Sequence, residues 1–248
     1  MIASTLLGVE PPRLPALLLA RSGELFGISE GTTRVALSRM VAAGELEPDD
    51  GGYRLAGHLL DRQERQRTSR APVRRPWDGE WTMAIVGPAR RSAADRAALR
   101  GAMRSLRMAE HREAVWLRPD NLADDRDPVA TAVVEAQCRR FRAWPADEPA
   151  PALAAQLWDL GRWSTEADRL RAAMAELIDP LEAGDPAPLP AGFVLAAAVL
   201  RHLVADPLLP DELLAPGWPG SALRADYDRY DRAFTAVWRD WFRAQPVG

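Results

Sequence analysis

The sequence predicts an α+β, multi-domain protein: a winged helix-turn-helix, then a small ferredoxin-like α/β domain, then a mainly helical C-terminal domain. Three observations predict it. A helix with both ends marked, from Ser29 to Gly44, lies between a short apolar helix and a hairpin signal. Strand, helix and strand patterns follow one another after Trp81, and beyond Pro145–Pro151 the apolar spacing is helical almost throughout.

Taken in order, Met1–Gly8 is a short apolar first helix closed by Glu10-Pro11-Pro12. Leu14–Gly27 reads as a second short apolar helix that turns at Gly27 straight into the cap of the next, which is helix-turn-helix spacing. In that next helix Ser29 is placed to accept from first-turn amides, Glu30 puts a negative charge near the positive helix end, and Gly44 suits a left-handed stop. At about 100° per residue, Thr33, Ala36, Leu37 and Met40 share a core face with Val41 at its edge. The opposite arc carries Gly31, Arg34, Val35 and Ser38, with Thr32 and Arg39 at its margins and no acid after the first turn. Two guanidinium groups, small hydroxyls and a valine able to meet a thymine methyl suit a DNA groove. Glu47–Leu55, two extended runs around Asp49-Asp50-Gly51-Gly52, supplies the hairpin of a wing.

His58–Arg70 is helical, and Ala71–Pro76 breaks it. From Arg62 to Arg75 six arginines (Arg62, Arg65, Arg67, Arg70, Arg74 and Arg75) face one acid, Glu64: either a basic arm that tracks phosphates or a charged strap. Trp81–Val86 is a strand, Arg91–Leu106 a helix and Glu113–Arg118 a strand. Asp127–Val134 fits a third strand or a short helix, and Gln137–Trp144 a last strand. Helices follow at Leu153–Trp158, Ser164–Ile178, Phe193–Val204 and Ala222–Phe242, with Ser164 as a helix start. The expected divisions are therefore 1–57 (winged helix), 58–75 (basic linker helix), 76–146 (ferredoxin-like middle domain) and 147–248 (helical C-terminal domain). Aromatic residues of the last segment, Phe193, Trp218, Tyr227, Tyr230, Phe234, Trp238, Trp241 and Phe242, are mostly core, with individual members free to line a ligand pocket.

Composition narrows the function. The chain has 248 residues, 47% hydrophobic and 27% charged, which is globular and long enough for more than one core. No apolar run reaches the ~20 residues of a membrane span and no signal pattern opens the chain, so a cytoplasmic location is expected. One cysteine, Cys138, and three scattered histidines form neither an internal disulfide nor a metal cluster. All 32 basic residues are arginine, a mark of coding bias, and the net charge of −3 conceals a basic amino-terminal end against an acidic tail from Asp206 onward. No Walker loop and no Ser-His-Asp arrangement is visible, so no catalytic residue, metal or cofactor is expected.

The segment Phe26–Val41 resembles the amino-terminal domain of PaaX-type regulators, the family of the phenylacetic acid catabolic repressor, and more loosely the winged helix of GntR-type regulators. Leu157-Trp158-Asp159-Leu160, Phe193-Val194-Leu195, Arg201-His202 and above all Asp206–Gly220 are similar to the PaaX C-terminal domain, while the pattern after Trp81 fits that family's Cas2-like middle domain. The resemblance implies a repressor of aromatic-acid catabolism, a homodimer on double-stranded operator DNA, released by phenylacetyl-CoA or another aryl- or acyl-CoA. Carried over, the groove-reading role falls on Ser29, Thr32, Arg34, Val35, Ser38 and Arg39, and the wing role on Arg54. Arg90 and Arg91, before the middle-domain helix, and Arg201, His202 and Trp218 in the tail are the candidate effector residues. The chain departs from the family in a compressed segment before Leu14 and in lacking a tyrosine and arginine run after His202.

Two other classes compete. A Cas2-like domain suggests a metal-dependent nuclease, but the first strand ends in Val86-Gly87-Pro88 with no carboxylate before Asp95. A winged helix used only for protein contact is the third reading, separable by salt dependence.

Overall fold

The structure, a computed structural model, describes residues 1–123 and 127–244; the last four residues of the expected helical segment 147–248 lie outside it. The described residues form two compact units, one of Met1–Ala71, Glu166–Ala205 and the chain from Pro219 on, the other of Pro72–Thr165 and Asp206–Trp218. The four sequence segments follow the chain, whereas each compact unit gathers stretches from distant parts of it.

The first unit begins with α1 (Ile2–Leu7), β1 (Arg13–Pro15), α2 (Ala16–Glu24), α3 (Glu30–Ala42), β2 (Leu46–Asp49), β3 (Gly52–Leu55) and α4 (His58–Arg70). Its antiparallel sheet has the order β1-β3-β2. Leu14 and Pro15 therefore do not open the second helix as expected: they pair with Tyr53 and Gly52, and the helix starts only at Ala16. Proline at position 15 has no amide to give a helix interior, but its φ of −56° suits the residue before a helix start. Ile2, Leu6, Leu19, Leu37, Leu46, Leu55 and Leu59 form one buried cluster drawn from helices α1–α4 and the hairpin. The same unit contains α9 (Leu189–Val204), α10 (Gly220–Arg243) and the later part of α8 (Leu160–Glu182).

The second unit holds β4 (Trp81–Val86), α5 (Ala93–Ser105), β5 (Ala109–Arg112), β6 (Val115–Pro119), α6 (Pro128–Gln137), β7 (Cys138–Ala143) and α7 (Ala150–Leu157). All strand pairs are antiparallel, in the order β5-β6-β4-β7, so β4-α5-β5-β6-α6-β7 has the ferredoxin-like arrangement. Strand β5 was not expected; it is an edge strand with only Ala109 buried, so its residues Glu110, His111 and Arg112 carry no apolar alternation. Asp127–Val134 resolves to helix, with the Asp127 carboxylate capping it at Ala130 N, 2.9 Å away. One sheet face packs Ala84 against Leu99, Met103 and Val134 of the helices, and the other packs Trp81 and Leu117 against Leu153, Ala154, Leu209 and Leu213. Arg118 is buried and donates to Leu106 O, Pro119 O and Asn121 Oδ1, while Asn121 donates to Leu208 O.

Helix α8 starts at Leu160, four residues before the expected Ser164; its first-turn acceptor is Asp159, whose carboxylate takes the Arg162 amide at 3.0 Å. Among the described residues no helix is long and apolar enough to cross a membrane.

Candidate nucleic-acid interface

Helix α3 is built as its residues dictate. The Ser29 hydroxyl accepts from the Thr32 amide at 3.3 Å and lies 2.9 Å from the Thr32 hydroxyl, fixing the start of the helix. Gly44, at φ +69°, ends it. Thr33 and Leu37 are buried with Ala36, Met40 and Val41 partly covered, while Gly31, Thr32, Arg34, Val35, Ser38 and Arg39 are exposed. Val35 is 52% exposed, a large aliphatic side chain held out in water opposite the core. The structure therefore brings six of the seven candidate DNA-contacting residues, Ser29, Thr32, Arg34, Val35, Ser38 and Arg39, onto one solvent-facing side of a single helix. Helix, turn, helix and hairpin follow in the order a winged domain needs.

The electrostatics of that face are less basic than the residue count suggests. Arg34 is held by Glu30 one turn back, and Arg54, on the outer strand face of the wing, by its cross-strand partner Glu47. Both pairs are solvent-exposed and so worth only ~0.2–1 kcal/mol. Arg39 has no ion pair among the described residues.

The basic stretch on and after α4 is largely committed to the protein itself. Arg67 forks onto Glu64 at 2.8 Å, Arg74 reaches Asp211 and Leu209 O, and Arg75 reaches Asp120 and Leu122 O. Arg70 donates to Asp228 and Asp231, each at 2.9 Å, and lies 5.0 Å over the Tyr227 ring. Burial works against the Arg70 charge, but the two carboxylates outweigh it and hold its pKa above the ordinary arginine value. A phosphate-tracking arm would need these groups free; four of the six are instead ties within their own units.

The candidate effector residues are divided between the two units, Arg90, Arg91 and Trp218 in one and Arg201 and His202 in the other. Arg90 is exposed and Arg91 half-buried before α5, but the N-terminus of that helix already holds its own anion: Asp95 accepts from the Ser92 amide and hydroxyl, and Ser92 accepts from the Asp95 amide. The Ser92 hydroxyl and amide hold the Asp95 carboxyl below its usual range. Asp95, the first acid after β4 in the sequence, is thus engaged as a helix cap. Arg201 and His202 lie in the last turn of α9 in the other unit, and Trp218 stacks on Trp163 at 4.7 Å.

A cavity that the sequence did not locate lies within the first unit. About 670 Å³ of empty space, open solvent at its mouth included, is lined by α1, α4, α9 and α10. Of the eight C-terminal aromatics, Phe193, Tyr227, Phe234 and Trp238 line it. Burial, with Asp231 alongside, pushes the Tyr227 phenol well up, so it stays neutral.

Comparison with known proteins fits this layout. Family models match three successive segments: a PaaX-like protein at residues 2–59, the PaaX protein central Cas2-like domain at 74–152, and the PaaX-like protein C-terminal domain at 158–244. Among solved structures, an uncharacterized protein, Rv0674, from Mycobacterium tuberculosis is 43% identical over 96% of this chain and 95% of that one, with a TM-score of 0.69. No curated protein matches. The chain belongs to the PaaX family and, at the level of the family, is a PaaX-like regulator.

Proposed function

We propose that the protein is a DNA-binding transcriptional repressor of aromatic-acid, phenylacetate-type catabolism genes, acting as a homodimer and released by an aryl-CoA such as phenylacetyl-CoA. The observation that carries the DNA-binding part is the exposed face of α3: a capped helix whose outward residues are two arginines, three hydroxyls and a valine, with no acid beyond its first turn. Such a face gives phosphate contacts, hydrogen bonds to base edges and an apolar contact for thymine. Dimer formation is supported by the unpartnered edge of β7 and the exposed rings of Phe141 and Trp144 on and beside it, at 45% and 60%. The repressor role and the aryl-CoA rest on the family.

Pairing of Arg34 and Arg54 with neighbouring acids favours a second reading, a winged helix that meets protein rather than DNA. Fluorescence anisotropy against the DNA upstream of its own gene and against random DNA, across a salt series, separates the two. The proposal expects a preference for the upstream DNA and affinity falling steeply with salt. No preference at any salt would replace it with the protein-contact reading.

A further inference from the structure

The cavity of the first unit has a built chemistry that neither the winged helix nor the tail residues explain. Three rings, Phe193, Phe234 and Trp238, form an aromatic wall, with Phe193 and Trp238 stacked at 5.6 Å and 18°. Ala196 and Ala197, one turn along α9 from Phe193, leave the space open where larger side chains would fill it. Ser4, Thr5, Thr235 and the Tyr227 hydroxyl add small polar groups to the lining, and its charged and amide groups are Arg62, Gln66 and Asp231. Asp231 is neutralised by Arg70 at 2.9 Å, whereas Arg62 has no ion pair among the described residues and Gln66, 92% covered, sits beside it one turn along α4. Flat apolar walls with one uncommitted cation and one amide at the side select a planar aromatic group ending in a carbonyl or carboxylate oxygen.

The cavity also touches the DNA-reading end of the unit. Phe193 packs on Phe26 with ring centroids 5.0 Å apart. Phe26 belongs to the turn between α2 and α3, its amide bonded to Gly23 O, three residues before the Ser29 cap. Phe193 thus joins the aromatic wall of the cavity to the turn that precedes α3.

Resting on the regulator reading above, we propose that this cavity binds an aromatic acyl group, as the free acid or as the acyl end of a thioester, and that Phe193 and Phe26 transmit its binding to α3. A ligand moves this equilibrium only by its difference in affinity for the two arrangements.

The test is calorimetric titration of the full chain with phenylacetate and, separately, phenylacetyl-CoA, each followed by DNA anisotropy. Wild type is expected to bind at least one, and which of them it binds identifies the source of the acyl group. Ala197→Trp should abolish binding by filling the space, and Arg62→Gln, which adds no bulk, should weaken it about tenfold or more. Phe26→Ala should bind the ligand as wild type does yet no longer release DNA in response. Circular dichroism melts confirm that each variant is folded. Ligand binding untouched by both Ala197→Trp and Arg62→Gln overturns the site, and no binding of either compound by a protein that prefers its upstream DNA overturns the ligand class while sparing the regulator. Full release by Phe26→Ala overturns the route. A protein that binds the ligand in this cavity but prefers no DNA supports the site and defeats the repressor reading instead.

Discussion

Replacing Arg34 with alanine tests whether the face of α3 reads DNA or merely stabilises its own helix. The two roles differ in magnitude. The Arg34–Glu30 pair joins side chains 75% and 50% exposed at i,i+4 spacing, so it is worth ~0.3–0.5 kcal/mol, and alanine's higher helix propensity recovers part of that. A bidentate contact to a base edge is worth about 1–3 kcal/mol, enough to draw Arg34 off Glu30 when DNA arrives. Arg34→Ala should therefore leave the melting temperature almost unchanged while weakening upstream DNA by about 5- to 150-fold in an anisotropy titration. Random DNA should be affected far less. An equal loss on both DNAs, with the salt slope reduced by about one, would make Arg34 a phosphate contact. No loss on either would refute the reasoning and leave the intrahelical pair as its whole role.

The other predictions concern the framework that presents these surfaces. Asn121→Ala removes a fully buried amide that links Arg118 to the Leu208 carbonyl and should cost about 1–3 kcal/mol per stranded partner, read as a lower melting temperature with DNA affinity intact. Gly192→Ala would put a methyl 2.5 Å from the Tyr230 hydroxyl and 3.0 Å from the Phe234 ring; it should destabilise by about 1–3 kcal/mol, and Tyr230→Phe should recover part of the loss. Tyr230→Phe alone should be neutral or stabilising in denaturant unfolding, because that buried hydroxyl has no hydrogen-bond partner among the described residues. Burial pushes the Cys138 thiol up despite Arg91 nearby, so the folded protein should react with an alkylating reagent more slowly than the unfolded chain at pH 8, and equal rates would contradict that placement.

Local signals were legible in the sequence, and non-local ones were not. Ser29, Gly44 and the Asp49–Gly52 turn act on neighbours a few residues away, and each stands where its chemistry requires. The face of α3 was readable for the same reason, since one helical period places Leu37 inside and Val35 outside. Strand β1 was missed because three residues ending in proline carry no alternation, and β5 because an edge strand with three exposed residues looks like loop. The choice between arm and strap was not legible because the partner of Arg70 lies 158 residues on and that of Arg74 137 residues on. The cavity was hidden likewise: its aromatics were visible on α9 and α10, but nothing in their spacing tells that α1 and α4 close the other side.

On the function proposed above, the outward face of α3 selects DNA sequence. Genomic fragments captured by the protein, compared with those captured by the Arg34→Ala, Arg39→Ala double variant, test it without knowledge of the operator. The account predicts that the wild type enriches a small set of fragments sharing a two-part motif and that the variant does not. Equal enrichment of the same fragments by both, or of none by either at low salt, would contradict it.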